Sequence, residues 1–316
     1  MIMDWVYVAL GLVTLLLAGD SLVKGAVNLS LRVGIPAFIV SLTIVAFGTS
    51  APELLVSVSA VMDGVAGLAL GNVVGSNIAN VLLVLGVPAI IATMRTSHCD
   101  TRQSFLQMIG ATLLFIALAF WGRFEWWSGV ILLAVLVAVL TRAAIVGRQH
   151  RGRDADEETE EDVEGVDPEL SGKKIALFLA LGLIGLPLGA QLLVTGSVNI
   201  ARGFGVSEAV IGLTLVAIGT SLPELATTVM AAIRRQADVA MGNVIGSNMF
   251  NLLAIIGIAS LVGPIPVESV FLRFDLWVML ATSLLLIPFV YLRQDIGRRW
   301  GVALVAAYIG YIWMVL

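Results

Sequence analysis

Two carboxylates, Glu53 and Glu224, are the acidic side chains of this sequence that lie well inside long apolar stretches. About 20 apolar residues are enough to cross a bilayer as a helix. An ionised group at that depth costs about 2.5 to 3.5 kcal/mol on insertion scales, so such a group is a functional candidate. A buried pair with Lys or Arg is the structural alternative, yet neither motif contains a basic residue.

Hydroxyl groups accompany each carboxylate. Thr49 and Ser50 precede Glu53 by four and three residues, so the three side chains share one face of a helix. The second motif repeats this spacing with Thr220, Ser221 and Glu224.

A proline beside each glutamate predicts a break in the helix. Pro52 and Pro223 have no N–H, so the carbonyls of Gly48 and Gly219, four residues earlier, lose their helical partners. Freed carbonyls, hydroxyls and a carboxylate are the oxygen ligands that hard cations such as Ca²⁺ and Na⁺ prefer. The motifs therefore predict a cation site to which each contributes.

A polar stripe follows each motif, with side chains repeating every four residues on one side of a helix. Amides in such a stripe either hydrogen-bond helices together or bind ions. Both roles stay open for Asn72, Asn77, Asn243 and Asn248, and the ion path is favoured for Asn80 and Asn251. The stripes are Asn72, Ser76 and Asn80, and Asn243, Ser247 and Asn251.

These motifs belong to an internal repeat with a constant offset of 171 residues. Residues 41–60 and 212–231 are identical at 12 of 20 positions, and residues 70–86 and 241–257 at 9 of 17. A repeat of this quality fixes the architecture before any other inference.

The composition predicts an integral membrane protein. Apolar residues make up 59% and charged residues 13% of 316 residues, with mean hydropathy +1.01, whereas soluble domains are about 25% charged. We predict an all-α membrane protein, with no cofactor, no nucleic-acid partner and the lipid bilayer around it. The ten expected spans are 4–28, 36–61, 67–93, 104–121, 126–147, 173–201, 207–232, 238–262, 274–292 and 299–316.

Charge predicts the orientation of the chain. The segment 154–169 holds 10 of the 22 acidic residues and is expected to be a solvated linker. Cytoplasmic loops retain Lys and Arg, and starting outside places 15 of 18 basic residues on the inner side. Both termini are therefore expected outside and the linker in the cytoplasm. Five spans per repeat make the second copy inverted, which is typical of secondary transporters.

The two blocks, G-T-S-x-P-E and G-N-x-x-G-S-N, resemble the alpha repeats of the calcium/cation antiporter superfamily, and the prokaryotic sodium/calcium exchangers in particular. The resemblance implies ten helices in two inverted five-helix repeats, 1–147 and 173–316, joined by a cytosolic linker, 148–172. It also implies that Glu53 and Glu224 hold Ca²⁺ together with backbone oxygens near Thr49 and Thr220. The positions implied for Na⁺ are Ala46, Ser50, Ser76, Ala217, Ser221 and Ser247.

The sequence departs from that family at one place. Sodium/calcium exchangers often pair an asparagine in the first repeat with an aspartate in the second, whereas this chain has Asn80 and Asn251. The middle of the site then has no third acid, which leaves Na⁺ or H⁺ open as coupling ion and argues against K⁺.

The function expected from these residues is Ca²⁺/Na⁺ exchange by alternating access, in the plasma (inner) membrane and by a monomer. The nearest alternative is Ca²⁺/H⁺ exchange or antiport of another divalent cation against a monovalent cation, and a cation channel is a less expected one. We do not expect an enzyme, because the sequence has no paired nucleophile and base and no His-bearing metal motif.

Overall fold

The apolar stretches of the sequence form helices. A computed structural model describes residues 2–150, 167, 170–205 and 217–315, without the side chains of 98, 147–150 and 217. The helices, numbered in chain order, are α1 (Ile2–Val33), α2 (Ala37–Thr49), α3 (Ala51–Met62), α4 (Ala66–Ile91), α5 (Arg102–Ala119), α6 (Trp126–His150), α7 (Gly172–Gly203), α8 (Ala217–Thr220), α9 (Leu222–Ile233), α10 (Ala237–Val262), α11 (Phe271–Tyr291) and α12 (Arg298–Val315).

This is a multi-pass membrane protein. Seven of the described helices are long and apolar enough to cross a bilayer, or eight if α2 and α3 form one bent span. The expected span 207–232 falls partly outside the described residues, which resume at α8. In its described part, α8 is followed by α9, which is a shorter apolar helix.

The predicted helix breaks at the prolines are confirmed. α2 ends at Thr49 and α3 begins at Ala51, with a bend of 43° between them. Ser50 stands at the break with φ −84° and ψ 6°, and Ser221 has almost the same angles, −85° and 4°, between α8 and α9. Pro lies in the first turn of α3 and of α9, where its missing N–H costs no helical hydrogen bond.

α4 and α10 are the central helices. Within their most apolar windows 72% and 89% of residues are buried inside the protein, against 17% in α6. Each contains a π-helical segment, Asn80–Val84 in α4 and Asn251–Ile255 in α10, which begins at the last asparagine of its stripe. π-bulges of this kind frequently occur at functional sites.

Backbone turns recur with the repeat. Each described residue with a positive φ has a counterpart 171 positions away that also has a positive φ. The second copy uses arginine in two of these turns, where the first copy has glycine. The three pairs, with φ, are Gly34 (67°) and Gly205 (78°), Gly64 (77°) and Arg235 (57°), and Gly122 (86°) and Arg293 (50°).

α1 and α7 pack closely along glycines. A Cβ added at Gly11 would lie 2.5 Å from the backbone N of Leu193, and one at Gly182 would lie 2.5 Å from Leu22 Cβ. Small residues let two helices approach this closely in a membrane. The two long helices therefore form one pair.

Short backbone pairings connect the turns between helices. β1 (Arg123–Phe124) pairs antiparallel with β2 (Ile265–Pro266), in the register Arg123 to Pro266, and Met94 forms an isolated bridge with Ile296. Both contacts join a turn of one half of the chain to a turn of the other half.

Asp275 is buried, although its place beside Arg273 at an expected helix start would suit a solvated or helix-capping residue. Asp275 is 6% exposed, makes no capping hydrogen bond, and accepts a hydrogen bond from the Tyr311 hydroxyl at 3.1 Å. The π-helical start of α11, Phe271–Asp275, places its side chain against α12 rather than in solvent.

Candidate ion-binding site

Both motif glutamates are buried at the start of a helix. Glu53 lies in the first turn of α3 and Glu224 in the first turn of α9, and each is 1% exposed. The N-terminus of a helix favours negative charge, because its first N–H groups have no helical acceptor. Within the described part of the chain, neither carboxylate forms an ion pair with Lys or Arg.

The two motifs meet through a serine. Ser50, which precedes α3, donates its hydroxyl to Glu224 Oε1 at 3.1 Å. The carboxylate of the second motif thus lies against the first motif. Ser221 stands at the repeat-equivalent position, and its buried hydroxyl has no partner among the described residues.

The amide of Asn72 joins the two halves of the chain. Its Nδ2 donates to the backbone oxygen of Glu53 at 3.2 Å and to Ser57 Oγ at 3.0 Å, both on α3. Its Oδ1 accepts a hydrogen bond from Thr220 Oγ1 at 3.4 Å, in the second motif. Both polar ends of this amide are therefore bonded to protein.

Asn243 makes the equivalent contacts, with the roles of the two halves of the chain exchanged. Its Nδ2 donates to the backbone oxygen of Glu224 at 3.4 Å and to Thr228 Oγ1 at 3.2 Å, both on α9. Its Oδ1 accepts from Thr49 Oγ1 at 3.3 Å, in the first motif. We call these two sets of bonds, centred on Asn72 and Asn243, the asparagine clasps. They support a positioning role for both amides.

Of the other amides in the stripes, some are hydrogen-bonded to protein and one has no partner among the described residues. Asn77 donates to the carbonyl of Val73 at 2.7 Å, within its own helix. Asn248 accepts from Asn80 Nδ2 at 3.0 Å and contacts Met108 Sδ at 3.8 Å. Asn251 is 1% exposed, and neither end of its amide has a partner among the described residues.

The smaller candidate residues line the same region. Ser247 Oγ lies 3.5 Å from Thr49 Oγ1, and both residues are fully buried. Ala46 (0% exposed) and Ser76 (5% exposed) are also buried. Ala217 begins α8, and its side chain lies outside the described part of the structure.

Buried oxygens without partners are concentrated here. Buried polar atoms are nearly always hydrogen-bonded, so each exception needs an explanation. Among the described residues no group of three or more His, Cys, Asp or Glu side chains could hold a metal ion. A cation at this place would therefore depend on two carboxylates with neutral oxygens. The oxygens without partners are Glu53 Oε2, Glu224 Oε2, Asn80 Oδ1, Asn251 Oδ1 and Ser221 Oγ.

A small crevice leads to Ser50 between the two halves of the chain. The rings of Phe47 and Phe250 stand beside each other there, with centroids 5.6 Å apart. Phe47 is 56% exposed and Phe250 is 6% exposed. The lining residues are Phe47, Ser50, Ala51, Leu54, Phe250, Ala254 and Ile255.

Sequence reasoning missed two features of this region. It did not find Ser57 and Thr228, which accept hydrogen bonds from the clasp amides, although a hydroxyl at both repeat-equivalent positions was a usable signal. It also did not predict that each amide bonds the threonine of the other half, because a single sequence carries no such pairing information.

The internal repeat and the buried polar centre together define a multi-pass membrane protein of the transporter class. Residues 3–144 and 174–316 match the family model for the sodium/calcium exchanger protein, and the chain belongs to this family.

Sequence and structure comparisons align relatives of this family with nearly the whole chain. The chain is 34% identical over 340 residues to the sodium/calcium exchanger MaX1 of Methanosarcina acetivorans, covering 98% of this chain and 97% of that protein. It is 33% identical over 309 residues to the inner membrane protein YrbG of Escherichia coli, covering 97% and 94%. A solved structure of the sodium-calcium exchanger NCX_Mj superposes with TM-score 0.83 at 33% identity, covering 99% of this chain and 98% of that one.

Proposed function

We propose that this protein exchanges Ca²⁺ for Na⁺ across the membrane by alternating access. The observation that carries the proposal is the pair of fully buried glutamates, one from each repeat, brought together without a basic partner among the described residues. Two carboxylates supply a charge of −2, which one Ca²⁺ or a small cluster of Na⁺ neutralises.

The Ca²⁺ ligands in this proposal are the carboxylates of Glu53 and Glu224 with backbone oxygens near Thr49 and Thr220. Ca²⁺ takes six to eight oxygen ligands, so both motifs are needed to complete its shell. The proposal also assigns Asn80 and Asn251 to the middle of the site, which is supported by their buried amide oxygens having no partner among the described residues. The Na⁺ ligands come from the small residues Ala46, Ser50, Ser76, Ala217, Ser221 and Ser247.

Competition between the two ions provides the coupling. A site filled with either ion is electrically compensated and can close, whereas an empty site holds two carboxylates that repel each other in a low-dielectric region. The bound ion therefore stabilises the closed conformations through which the site passes from one side of the membrane to the other, because it binds them better than it binds the open ones.

The architecture in this proposal is ten helices in two inverted repeats, residues 1–147 and 173–316. The linker 148–172 lies in the cytoplasm and both termini lie outside, in the plasma (inner) membrane, with the monomer as the functional unit. The recurrence of positive-φ turns at an offset of 171 residues supports the repeat. The distribution of Lys and Arg supports the orientation.

Ca²⁺ uptake into Na⁺-loaded proteoliposomes tests the site. Glu53→Gln and Glu224→Gln each remove one charge with little change in shape, so exchange should fall to the background of protein-free vesicles. Glu268→Gln is the matched control, because Glu268 is exposed and lies outside the motifs. Undiminished flux in either motif variant would refute the assigned site.

Exchange for H⁺ is the second candidate, and the absence of an acid at both Asn80 and Asn251 raises the question of the coupling ion. A pH gradient imposed without Na⁺ separates the two candidates. Uptake driven by the pH gradient alone would favour Ca²⁺/H⁺ exchange. A flux that ignores every counter-ion gradient would instead indicate a channel.

A further inference from the structure

A charged cluster outside the motif site joins α1 to the end of α9. Asp20 on α1 pairs through Oδ1 with Arg234 Nε, and through Oδ2 with Lys24 Nζ at 3.1 Å. The side chains of Asp20 and Arg234 are 22% and 16% exposed. Lys24 lies on the same helix as Asp20, so only the bond to Arg234 crosses between helices.

The same contact region packs α1 tightly against α9. A Cβ added at Gly19 would lie 3.0 Å from the backbone oxygen of Ala226 and 3.3 Å from Met230 Cγ. Ala226 is 8% exposed beneath this contact. The ion pair therefore adds a bond across a tightly packed interface. We call this α1–α9 interface a seam, and we call it closed because the two helices are in contact along it.

The repeat-equivalent seam, between α7 and α3, is not closed. Among the described residues α7 has no packing against α3 comparable to that of α1 against α9. Leu55, the counterpart of Ala226 at an offset of 171, is 69% exposed. The two halves of the chain therefore stand in different arrangements around the same centre.

The ion pair has no equivalent in the open seam. Asp20 corresponds to Gln191 on α7, and Arg234 corresponds to Asp63 after α3. Gln191 and Asp63 are both exposed in this structure. If α7 closed on α3 as α1 closes on α9, an amide would face a carboxylate, and no ion pair would form.

We infer that Asp20 and Arg234 form a one-sided latch, which favours the arrangement seen here over the exchanged arrangement in which α7 closes on α3. This inference rests on the proposed exchange function, since it assigns the two arrangements to opposite steps of alternating access. The orientation proposed above puts Arg234 at the cytoplasmic ends of α9 and α10. The latch therefore holds the inner side shut.

The size of the effect follows from the environment of the pair. Exposed pairs stabilise by about 0.2 to 1 kcal/mol, and this one is partly buried. Removing it should raise the ratio of exchanged to observed arrangement roughly two- to fivefold, which is the upper part of that range converted at 1.4 kcal/mol per factor of ten. A ligand that binds one arrangement better would shift the same equilibrium.

Pulsed electron spin distance measurements test the latch in reconstituted full-length protein. Spin labels on cysteines introduced at Met62 on α3 and Thr195 on α7, with Cys99→Ser as background, sit at exposed positions, and Ile233, the counterpart of Met62, stays exposed where α1 closes on α9. Their separation should shorten when α7 closes on α3. Asp20→Asn and Arg234→Gln should each increase the short-distance fraction.

Two further variants keep the test specific. Lys24→Gln removes a cation that moves with α1, so it should leave the short-distance fraction unchanged or lower it. Gln191→Arg supplies a partner for Asp63 in the open seam, so it should increase the short-distance fraction although the latch is intact. A gain with Asp20→Asn but none with Gln191→Arg would overturn the repeat-based account of the two arrangements.

Uptake assays on the same samples separate this inference from the exchange function. If the unlabelled protein exchanges Ca²⁺ for Na⁺ and Asp20→Asn leaves the distances unchanged, the latch is wrong and the function stands. If the unlabelled protein shows no coupled uptake, the proposed function fails whatever the distances show, and the assignment of the arrangements to transport steps fails with it.

Discussion

At the scale of single residues, the asparagines of the two stripes differ in how their amides are used. Asn72 and Asn243 each have both polar ends bonded. The amide nitrogen donates to the backbone oxygen of a glutamate, and the amide oxygen accepts from a threonine in the opposite half of the chain. Asn251 has neither end bonded within the described structure. The first pair therefore positions the glutamates, and the function proposed above leaves the Asn251 amide to bind a transported ion or its water.

This difference predicts that replacing Asn by Asp lowers the stability of the protein more at position 243 than at position 251. Asn243→Asp turns a donor into an acceptor facing the Glu224 carbonyl, so it should lower the free energy of unfolding by about 1 to 3 kcal/mol. Asn251→Asp breaks no hydrogen bond to a described residue, so it carries only the cost of a buried acid, which Asn243→Asp carries as well, and its melting temperature in Ca²⁺-containing detergent should lie above that of Asn243→Asp. Melting curves of the two purified variants check this. Equal losses would contradict the division of roles.

Much of the site was readable from residue types. The depth of Glu53 and Glu224, their hydroxyl neighbours and the proline breaks all follow from local rules, and the structure bears out the burial and the breaks. The clasps were not readable, because their long-range bonds depend on how two halves dock. Arg234 looked like one of many cytoplasmic cations, and its pairing with Asp20 also required the tertiary structure.

At the scale of helices, the glycine contacts between α1 and α7 define a pair whose surfaces leave no room for side chains. The Cβ distance at Gly182 is 2.5 Å to Leu22 Cβ and 2.8 Å to Leu22 Cα, so an added side chain would meet both side chain and backbone. Sequence analysis predicted the helices and their approximate ends. It did not predict which pair is packed this closely, since glycine is common throughout the chain.

Gly182→Leu should therefore be severe. Overpacking a close contact costs about 1 to 3 kcal/mol or more, so we expect a clear drop in melting temperature and in exchange rate. Gly310→Leu is the control, because no described atom lies within 4 Å of a Cβ at Gly310 on α12. Thermal unfolding and uptake assays of both variants measure the effect. A tolerated Gly182→Leu would show that α1 and α7 are loosely packed in the membrane.

At the scale of the whole molecule, the proposed orientation explains a difference between the two copies of the repeat. The turns at Gly64 and Gly122 would lie outside, and their counterparts at Arg235 and Arg293 would lie in the cytoplasm. Residues other than glycine pay about 1 to 2 kcal/mol in this backbone region. Selection for positive charge on the inner side, which orients the chain during insertion, accounts for arginine in a conformation that favours glycine.

Arg235→Gly and Arg293→Gly should each raise the free energy of unfolding by about 1 kcal/mol, because glycine adopts a positive φ without steric cost. Both arginines are exposed, so little packing is lost. Melting curves check the gain. The conservative control is Arg235→Lys, which keeps the charge and the strain and should melt like the parent.

The asparagine clasps bear on how such a protein could have arisen. In each clasp the asparagine comes from one half and the threonine from the other, so a solitary half would leave both groups unmatched. Two identical five-span chains, inserted upside down relative to each other, would satisfy both at once without any new mutation. If the two halves are inverted as proposed, an antiparallel homodimer of a single half would already contain both clasps, and joining the two halves in one chain would only fix their ratio at one to one.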